Sequence, residues 1–318
     1  MKKYLLAAGI CLLFLTGCDG QKELKRSGFY LDNVFEAQIK ISDKKENLRP
    51  AQAALNTAFD KLAELDTNIN KLSPLSEISA LNANAAWRSL EISKITYDLI
   101  EKALNASAFT DGYFDITWQP LIKIFALTTP TAERIAKAKA SLGYKNIALD
   151  RSLTRVRFLN NAEIDFDHIK RGFAVDLLSS HLKKYALTGQ IKAGGVAYYF
   201  GAKKLSLKLT EKENLNLKLT DAAVAVLNTQ DSYYVNSAAW RKYLPAASPV
   251  EPIYQIVVIA PNAVTAEILA EAFYFMGVEK SLQKIAAIKK QASRQNLYEV
   301  YFVLDNGENG QKVISSAE

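Results

Sequence analysis

Asp111-Gly112-Tyr113-Phe114-Asp115-Ile116-Thr117-Trp118-Gln119-Pro120-Leu121 lies between a helical pattern and an apolar stretch, and small, polar and aromatic residues alternate through it. Spacing alone makes it a tight turn in which Asp115 and Thr117 satisfy local backbone donors. Two other segments also depart from plain packing patterns. Asp165-Phe166-Asp167-His168-Ile169-Lys170-Arg171-Gly172 runs straight into a helix. Its cations stand where free N–H groups and the helix dipole favour an anion. The plainer alternative is a helix capped by Asp167, with Lys170 and Arg171 solvated. Thr265-Ala266-Glu267-Ile268-Leu269-Ala270-Glu271 places Glu267 and Glu271 four apart, on one helix face. Two such carboxylates either hold a hard cation or face solvent.

Outward from these segments the apolar spacing predicts the remaining elements. Residues 48–72 carry Leu55, Phe59, Leu62, Leu65, Ile69 and Leu72 at steps of three and four, the pattern of an amphipathic helix. The same spacing recurs over 92–109. A third helix is expected to start at Thr129-Pro130 and stop at Gly143, and a fourth to cover 172–185. Short strands are expected at 34–41, 147–149, 156–159 and 164–166. Leucines at alternate positions in 204–210 and 214–220, with a polar turn between them, predict a hairpin with one buried face. Residues 254–260 and 298–304 read as strands, and 266–276 and 280–290 as helices. Hairpin-type strands with helices inserted between them give an α+β fold.

The chain of 318 residues opens with Lys2 and Lys3, a short apolar run and Leu15-Thr16-Gly17-Cys18. That order is a secretory signal with a lipoprotein cleavage site. The apolar run is shorter than the roughly 20 residues of a membrane-spanning helix. The expectation is a mature chain beginning at an acylated Cys18, on the periplasmic side of a bacterial membrane. Asp19 resembles the inner-membrane retention signal of enteric bacteria. Residues 19–27 read as a polar tether, whose basic run from Lys22 to Arg26 would lie near anionic headgroups rather than on nucleic acid. Cys11 leaves with the signal and Cys18 is consumed, so no thiol remains for a disulfide, a thiolate metal site or a nucleophile. His168 and His181 are the only histidines, too few for a multi-histidine zinc site.

Taken in order, these segments resemble the FAD:protein FMN transferases, the ApbE-type flavin transferases, many of which are periplasmic lipoproteins. The resemblance rests on Ser76-Glu77-Ile78-Ser79-Ala80-Leu81-Asn82, on the run from Gly112 through Phe114, Asp115 and Thr117 to Pro120-Leu121, and on Arg171-Gly172-Phe173-Ala174-Val175-Asp176. It extends to Ala193-Gly194-Gly195 and to the late helix ending in Met276-Gly277. It implies a single T-fold-like flavin transferase domain over 29–307, built of mixed, mainly antiparallel sheets with inserted helices. Residues 18–28 would then be the acylated cysteine and tether, and 308–318 a C-terminal tail. It also implies a magnesium-dependent reaction that passes the FMN half of FAD to a threonine or serine of an acceptor flavoprotein and releases AMP. On that pattern Tyr113, Phe114, Asp115, Thr117, Asp165, Lys170 and Arg171 would hold the flavin nucleotide, and His168, Glu267 and Glu271 the metal.

The chain departs from the family pattern where the chemistry sits. Phosphoryl-type transfer needs cations around the pyrophosphate, close backbone approach and a group to deprotonate the acceptor hydroxyl. Asp167, His168 and Lys170 stand where the family has two glycines and a small residue before its lysine. Glu267 and Glu271 replace an aspartate and a threonine. Leu72 stands where a flavin-holding tyrosine is expected, and Val196 where an aspartate commonly follows the two glycines. The histidine-x-x-aspartate-proline stretch with the candidate base would fall near 240–244 and is absent, so no catalytic residue is assigned. Two readings follow: a divergent transferase, or a membrane-tethered family member that binds a flavin, another nucleotide or a protein without transferring FMN.

Overall fold

The computed structural model describes residues 20–127, 129–291, 297–307 and 310–317; the signal and Cys18 lie outside the described residues. Gln21–Tyr30 (β1) pairs along its whole length with Asn33–Ser42 (β2), turning on Leu31 and Asp32, both at positive φ. This corrects the tether assigned to 18–28. Leu24 is fully buried opposite Ile39, and the Arg26 guanidinium lies 4.6 Å from the Phe59 ring centre while bonding Asn56 at 2.7 Å. Long basic side chains shelter apolar surface along their stems, so a charged run that reads as a solvated tether serves as an edge strand.

Lys45–Ile69 (α1) buries the expected stripe of Leu55, Phe59, Leu62 and Leu65. Glu77–Asn84 (α2) is capped by Ser76, and Leu90–Glu91 (β3) leads to Lys94–Phe109 (α3), capped by Ser93. Gln119–Leu127 (α4) grows out of the Pro120-Leu121 end of the turn segment. Ala132–Ala140 (α5) is capped by Thr131, whose hydroxyl accepts from Arg134 N–H, two residues beyond the expected cap. Ile147–Asp150 (β4) and Arg155–Phe158 (β5) complete a three-stranded sheet in the order β3-β5-β4. The strand expected at 164–166 is an extended loop. Its Ile164 and Phe166 are buried, but Ile164 is bonded on both backbone groups by the Asn82 side chain.

Lys170–Leu182 (α6) is followed by Thr188–Ala193 (β6), Val196–Lys208 (β7), Asn214–Asn228 (β8) and Ser232–Trp240 (α7). Ile253–Ala260 (β9), Ala263–Met276 (α8), Val278–Gln291 (α9), Glu299–Asp305 (β10) and Gln311–Ser315 (β11) complete the chain. The main sheet has eight strands in the order β1-β2-β6-β7-β8-β9-β10-β11, every pair antiparallel. The tail expected at 308–318 thus contributes an edge strand. Mixed helices and mainly antiparallel sheets confirm the α+β class. The inner face of the sheet packs against α1, α6 and α8. The outer face is covered by the β7–β8 hairpin itself. That hairpin folds at Gly201 (φ 63°) and Asp221 (φ 47°), where Asp221 accepts from Gly201 N–H, and lays Leu217 and Leu219 against Val257, Ile259, Tyr301 and Val303.

Asp176 ties α6 to α8. Its two oxygens accept from Ala263 N–H at 2.7 Å and Val264 N–H at 3.0 Å, the unpaired donors of the first turn of α8. Burial pushes its carboxyl up to about 6, with those two donors opposing. A carboxyl whose folded pKa is raised contributes stability that is fully present below the unfolded value, about 3.9, and is lost as pH rises through the folded one. Denaturant titrations from about pH 4 to pH 7 should therefore show wild-type stability falling relative to Asp176→Asn. Parallel curves would remove Asp176 from the pH dependence.

Candidate functional site

The three unusual segments meet at the end of the sheet marked by the β1–β2 and β6–β7 turns. Asp165 N–H donates to Ile116 C=O at 2.9 Å, joining the 165–172 loop to the turn segment. Lys170 reaches Asp32 at 3.1 Å. Arg171 passes close to Gly194, whose φ of 54° lets the backbone turn there. Gly172 packs on the start of α8, where a Cβ would lie 2.7 Å from Ala263 C=O and Val264 Cα.

The turn segment behaves as its spacing predicts. Asp115 Oδ1 accepts from the Thr117 N–H (2.9 Å) and hydroxyl (2.8 Å), and Oδ2 accepts from Tyr144 N–H (2.8 Å). Thr117 Oγ1 in turn accepts from Gly143 N–H at 2.7 Å. Both side chains are thus committed to holding the Gly143–Tyr144 backbone, and burial raises the Asp115 pKa despite these donors. Phe114 is buried and lines a cleft of about 160 Å³ with Ile116, Trp118, His168, Tyr233 and Glu271. Tyr113 is not in that cleft; its hydroxyl accepts from Lys280 of α9 at 2.9 Å.

A chain of alternating charge replaces the glycines expected before Lys170. Lys71 donates to Asp165 at 2.8 Å and also to Asp167, which takes a bond from Lys170 at 2.6 Å. Burial opposes the charge on every member. At Asp167 the two lysines outweigh it and hold the carboxyl well below the usual range. At Asp165 burial and the neighbouring Asp167 win, and its pKa rises. Both lysines are pushed upward by their carboxylates against the effect of burial. Lys71 carried no sequence signal. It is a single cation after the last turn of α1, beside Leu72, which is 84% exposed.

Of the α8 carboxylates, Glu267 is likewise taken and Glu271 only through one oxygen. Glu267 receives Arg171 Nε on Oε1 and Gly172 N–H on Oε2, both at 2.7 Å, and its charge raises the Arg171 pKa. Glu271 Oε2 accepts from Tyr234 OH at 2.5 Å and lies 3.4 Å from His168 Nδ1. His168 stacks on Tyr233 with ring centres 4.0 Å apart, and burial lowers its pKa, so the imidazole is neutral near pH 7. Burial also drives both tyrosines well above their ordinary range. Glu271 Oε1 and Tyr233 OH are buried without a hydrogen-bond partner.

This is the test of whether the residues fit a magnesium ion, and they do not. His168, Glu267 and Glu271 do line one small cavity of about 100 Å³, but Arg171 lines it too, and its guanidinium together with the Gly172 N–H takes both oxygens of Glu267. Among the described residues no group of three or more His, Cys, Asp or Glu is arranged to hold a metal. The segment near 240–244 is structural too. Trp240 packs on Trp118 and Phe275, and Arg241 Nη2 caps the end of α8 through Tyr274 C=O (3.1 Å) and Phe275 C=O (3.2 Å). Tyr233 and Tyr234, not singled out in the sequence, supply the aromatic wall; the adjacent pair after Asp231-Ser232 at a helix start was the available signal. A larger cleft of about 650 Å³ between α3, α6 and α8 contains none of the candidate flavin or metal residues.

With this geometry in place the comparisons with known proteins are decisive for the family. The sequence model of the ApbE family matches residues 34–294. The chain belongs to the ApbE family. A FAD:protein FMN transferase of Chlamydia trachomatis serovar D is 24% identical, covering 81% of this chain and 86% of its own length. The enzyme of that description from Escherichia coli K12 is 23% identical, with 96% and 92% covered. Among solved structures, the apo flavinyl transferase ApbE of Pseudomonas stutzeri superposes with a TM-score of 0.79 at 19% identity, over 95% of this chain and 96% of that one. The flavin transferase ApbE of Vibrio cholerae gives 0.75 at 17%, over 93% and 98%. The ApbE fold therefore spans nearly the whole described chain.

Proposed function

We propose that this ApbE-family protein is a lipid-anchored periplasmic binding protein for a flavin nucleotide that does not pass FMN to an acceptor. The observation that carries this reading is the Arg171–Glu267 pair with its Gly172 N–H bond. In the family pattern the late helix offers oxygen ligands to magnesium, and here the protein's own guanidinium satisfies the first of them. The Lys71–Asp165–Asp167–Lys170 chain supports the same reading, because it fills with fixed, mutually neutralised charges the loop that would approach a pyrophosphate. The 240–244 segment offers no base in place of the family's, since Trp240 is packed against Trp118 and Phe275 and Arg241 Nη2 is bonded to the end of α8. Retention of flavin binding is supported by the family fold and by the aromatic cleft under Phe114, Trp118 and Tyr233. The lipoprotein signal at 1–18 and Asp19 support the inner membrane as its place.

Calorimetry with FAD and FMN tests the binding half directly. Saturable binding of at least one of them, with the same affinity in magnesium and in chelator, is expected. No binding of either would leave a protein partner as the function of the cleft and end the flavin reading.

A further inference from the structure

We propose that the end of the protein opposite the cleft is a basic face that lies on anionic lipid headgroups and holds the cleft about 30 Å above the membrane, the length of the ten-residue β1. The inference rests in part on the lipid anchor at Cys18 proposed above.

The position of β1 carries it. The described chain ties down close to Cys18 in sequence: Gly20 C=O accepts from Asp43 N–H at 2.9 Å, and β1 starts at Gln21. Only Asp19 lies between Cys18 and Gly20, two chain steps with a reach of roughly 7 Å when fully extended. An acylated Cys18 therefore brings this end of the fold against the headgroups rather than letting it float on a tether. The register then identifies what else is at this end. Gln21 pairs with Ser42, Lys40 with Thr188 and Gly189 with Phe200, next to the Gly201 fold of the β7–β8 hairpin. Leu187 N–H bonds Lys40 C=O, so the segment leaving α6 ends here as well.

That topology gathers Lys44, Lys183, Lys184, Lys203, Lys204 and Lys218, lysines far apart in sequence and all exposed. None of them is in a salt bridge among the described residues. Lys204 and Lys218 stand directly opposite each other across the hairpin, an arrangement that costs stability unless an anion offsets it. The nearby exposed acids are Asp43, Glu46 and Asp221, the last holding the Gly201 N–H, and Leu187, 48% exposed, sits among the lysines. The basic run at 22–26, which the sequence places at the membrane, points elsewhere: Arg26 is turned onto Phe59 and Asn56 and Lys25 onto Glu23. At the far end of β1, Asp32 bonds Lys170 beside the cleft, so the cleft opens away from the bilayer.

The test uses the mature chain with Cys18→Ser, which keeps every described element, and vesicles of phosphatidylcholine with or without phosphatidylglycerol. Binding only to the phosphatidylglycerol vesicles, reversed by salt, is expected. Replacing Lys183, Lys184, Lys203 and Lys204 with glutamine should lower partitioning on the order of a hundredfold. Removing the same charge at Arg134, Lys137, Lys139 and Lys145, in and after α5, should change it little. Equal binding to both vesicles, equal loss in the two variants, or retention by DNA without vesicle binding would overturn the proposal. Detergent partitioning of the full-length parent against its Cys18→Ser form reports separately on the anchor, so the two ideas fail independently.

Discussion

Arg171→Ala is expected to destabilise the protein by about 3–5 kcal/mol, the range for removing one partner of a buried ion pair. Glu267 is only 4% exposed, and without Arg171 its single remaining bond is from Gly172 N–H. The loss comes from the stranded carboxylate rather than from the attraction itself, which leads to a second expectation. Arg171→Ala combined with Glu267→Gln should be less damaged than Arg171→Ala alone, because the uncompensated charge is gone. A third follows from linkage: magnesium should raise the unfolding temperature of Arg171→Ala by binding the vacated carboxylate, while leaving wild type unmoved. Denaturant unfolding measures the first two, and thermal unfolding with and without the metal the third. A cost below about 1 kcal/mol would place the pair with ordinary surface ion pairs. An equal magnesium response in wild type would show that Arg171 does not fill the cation's place.

Much of the fold was legible where one periodicity dominated. The stripe of α1, the alternating leucines of β7 and β8 and the apolar run of β9 each identify a buried face, and all four elements form. Errors cluster where side-chain chemistry or long-range pairing overrides local pattern. The strand β1 looks like a solvated tether because its basic residues bury stems rather than heads. The tail strand β11 pairs, among the described strands, with β10 alone, a long-range partner that its local sequence does not announce. The 164–166 run is apolar because it is buried, yet its backbone partners are Asn82 and Ile116 rather than a strand. At the site, the α8 carboxylates and the 165–172 loop were placed together correctly by family order. Their pairing was not legible in full. Arg171 meets Glu267, but Lys170 turns to Asp32 and Asp167, and Glu271 meets tyrosine and histidine instead of a cation. Lys71 was invisible because a lone lysine beyond a helix end has no pattern. Asp115 and Thr117 carry the strongest family signal; in the structure Asp115 closes the local turn on the Thr117 N–H as spacing describes, but both side chains also hold the distant Gly143–Tyr144 backbone, which spacing does not show.

On the proposed reading the ApbE fold persists here with the place of the family's cation filled by the protein's own charges. Catalysis in phosphoryl-type transfer is almost entirely positioning and charge stabilisation. On the proposed reading, losing the metal set, the glycine approach and the base together therefore compounds rather than subtracts. Removing a single electrostatic contributor typically slows an enzyme by about a hundredfold or more. The direct measurement is AMP release and acceptor labelling when the purified protein is incubated with FAD, a threonine-bearing acceptor flavoprotein and magnesium, manganese or zinc in turn, beside an active ApbE transferase. No labelling above background with any of the metals is the expected result. Metal-dependent labelling at a rate comparable to the active transferase would contradict the account.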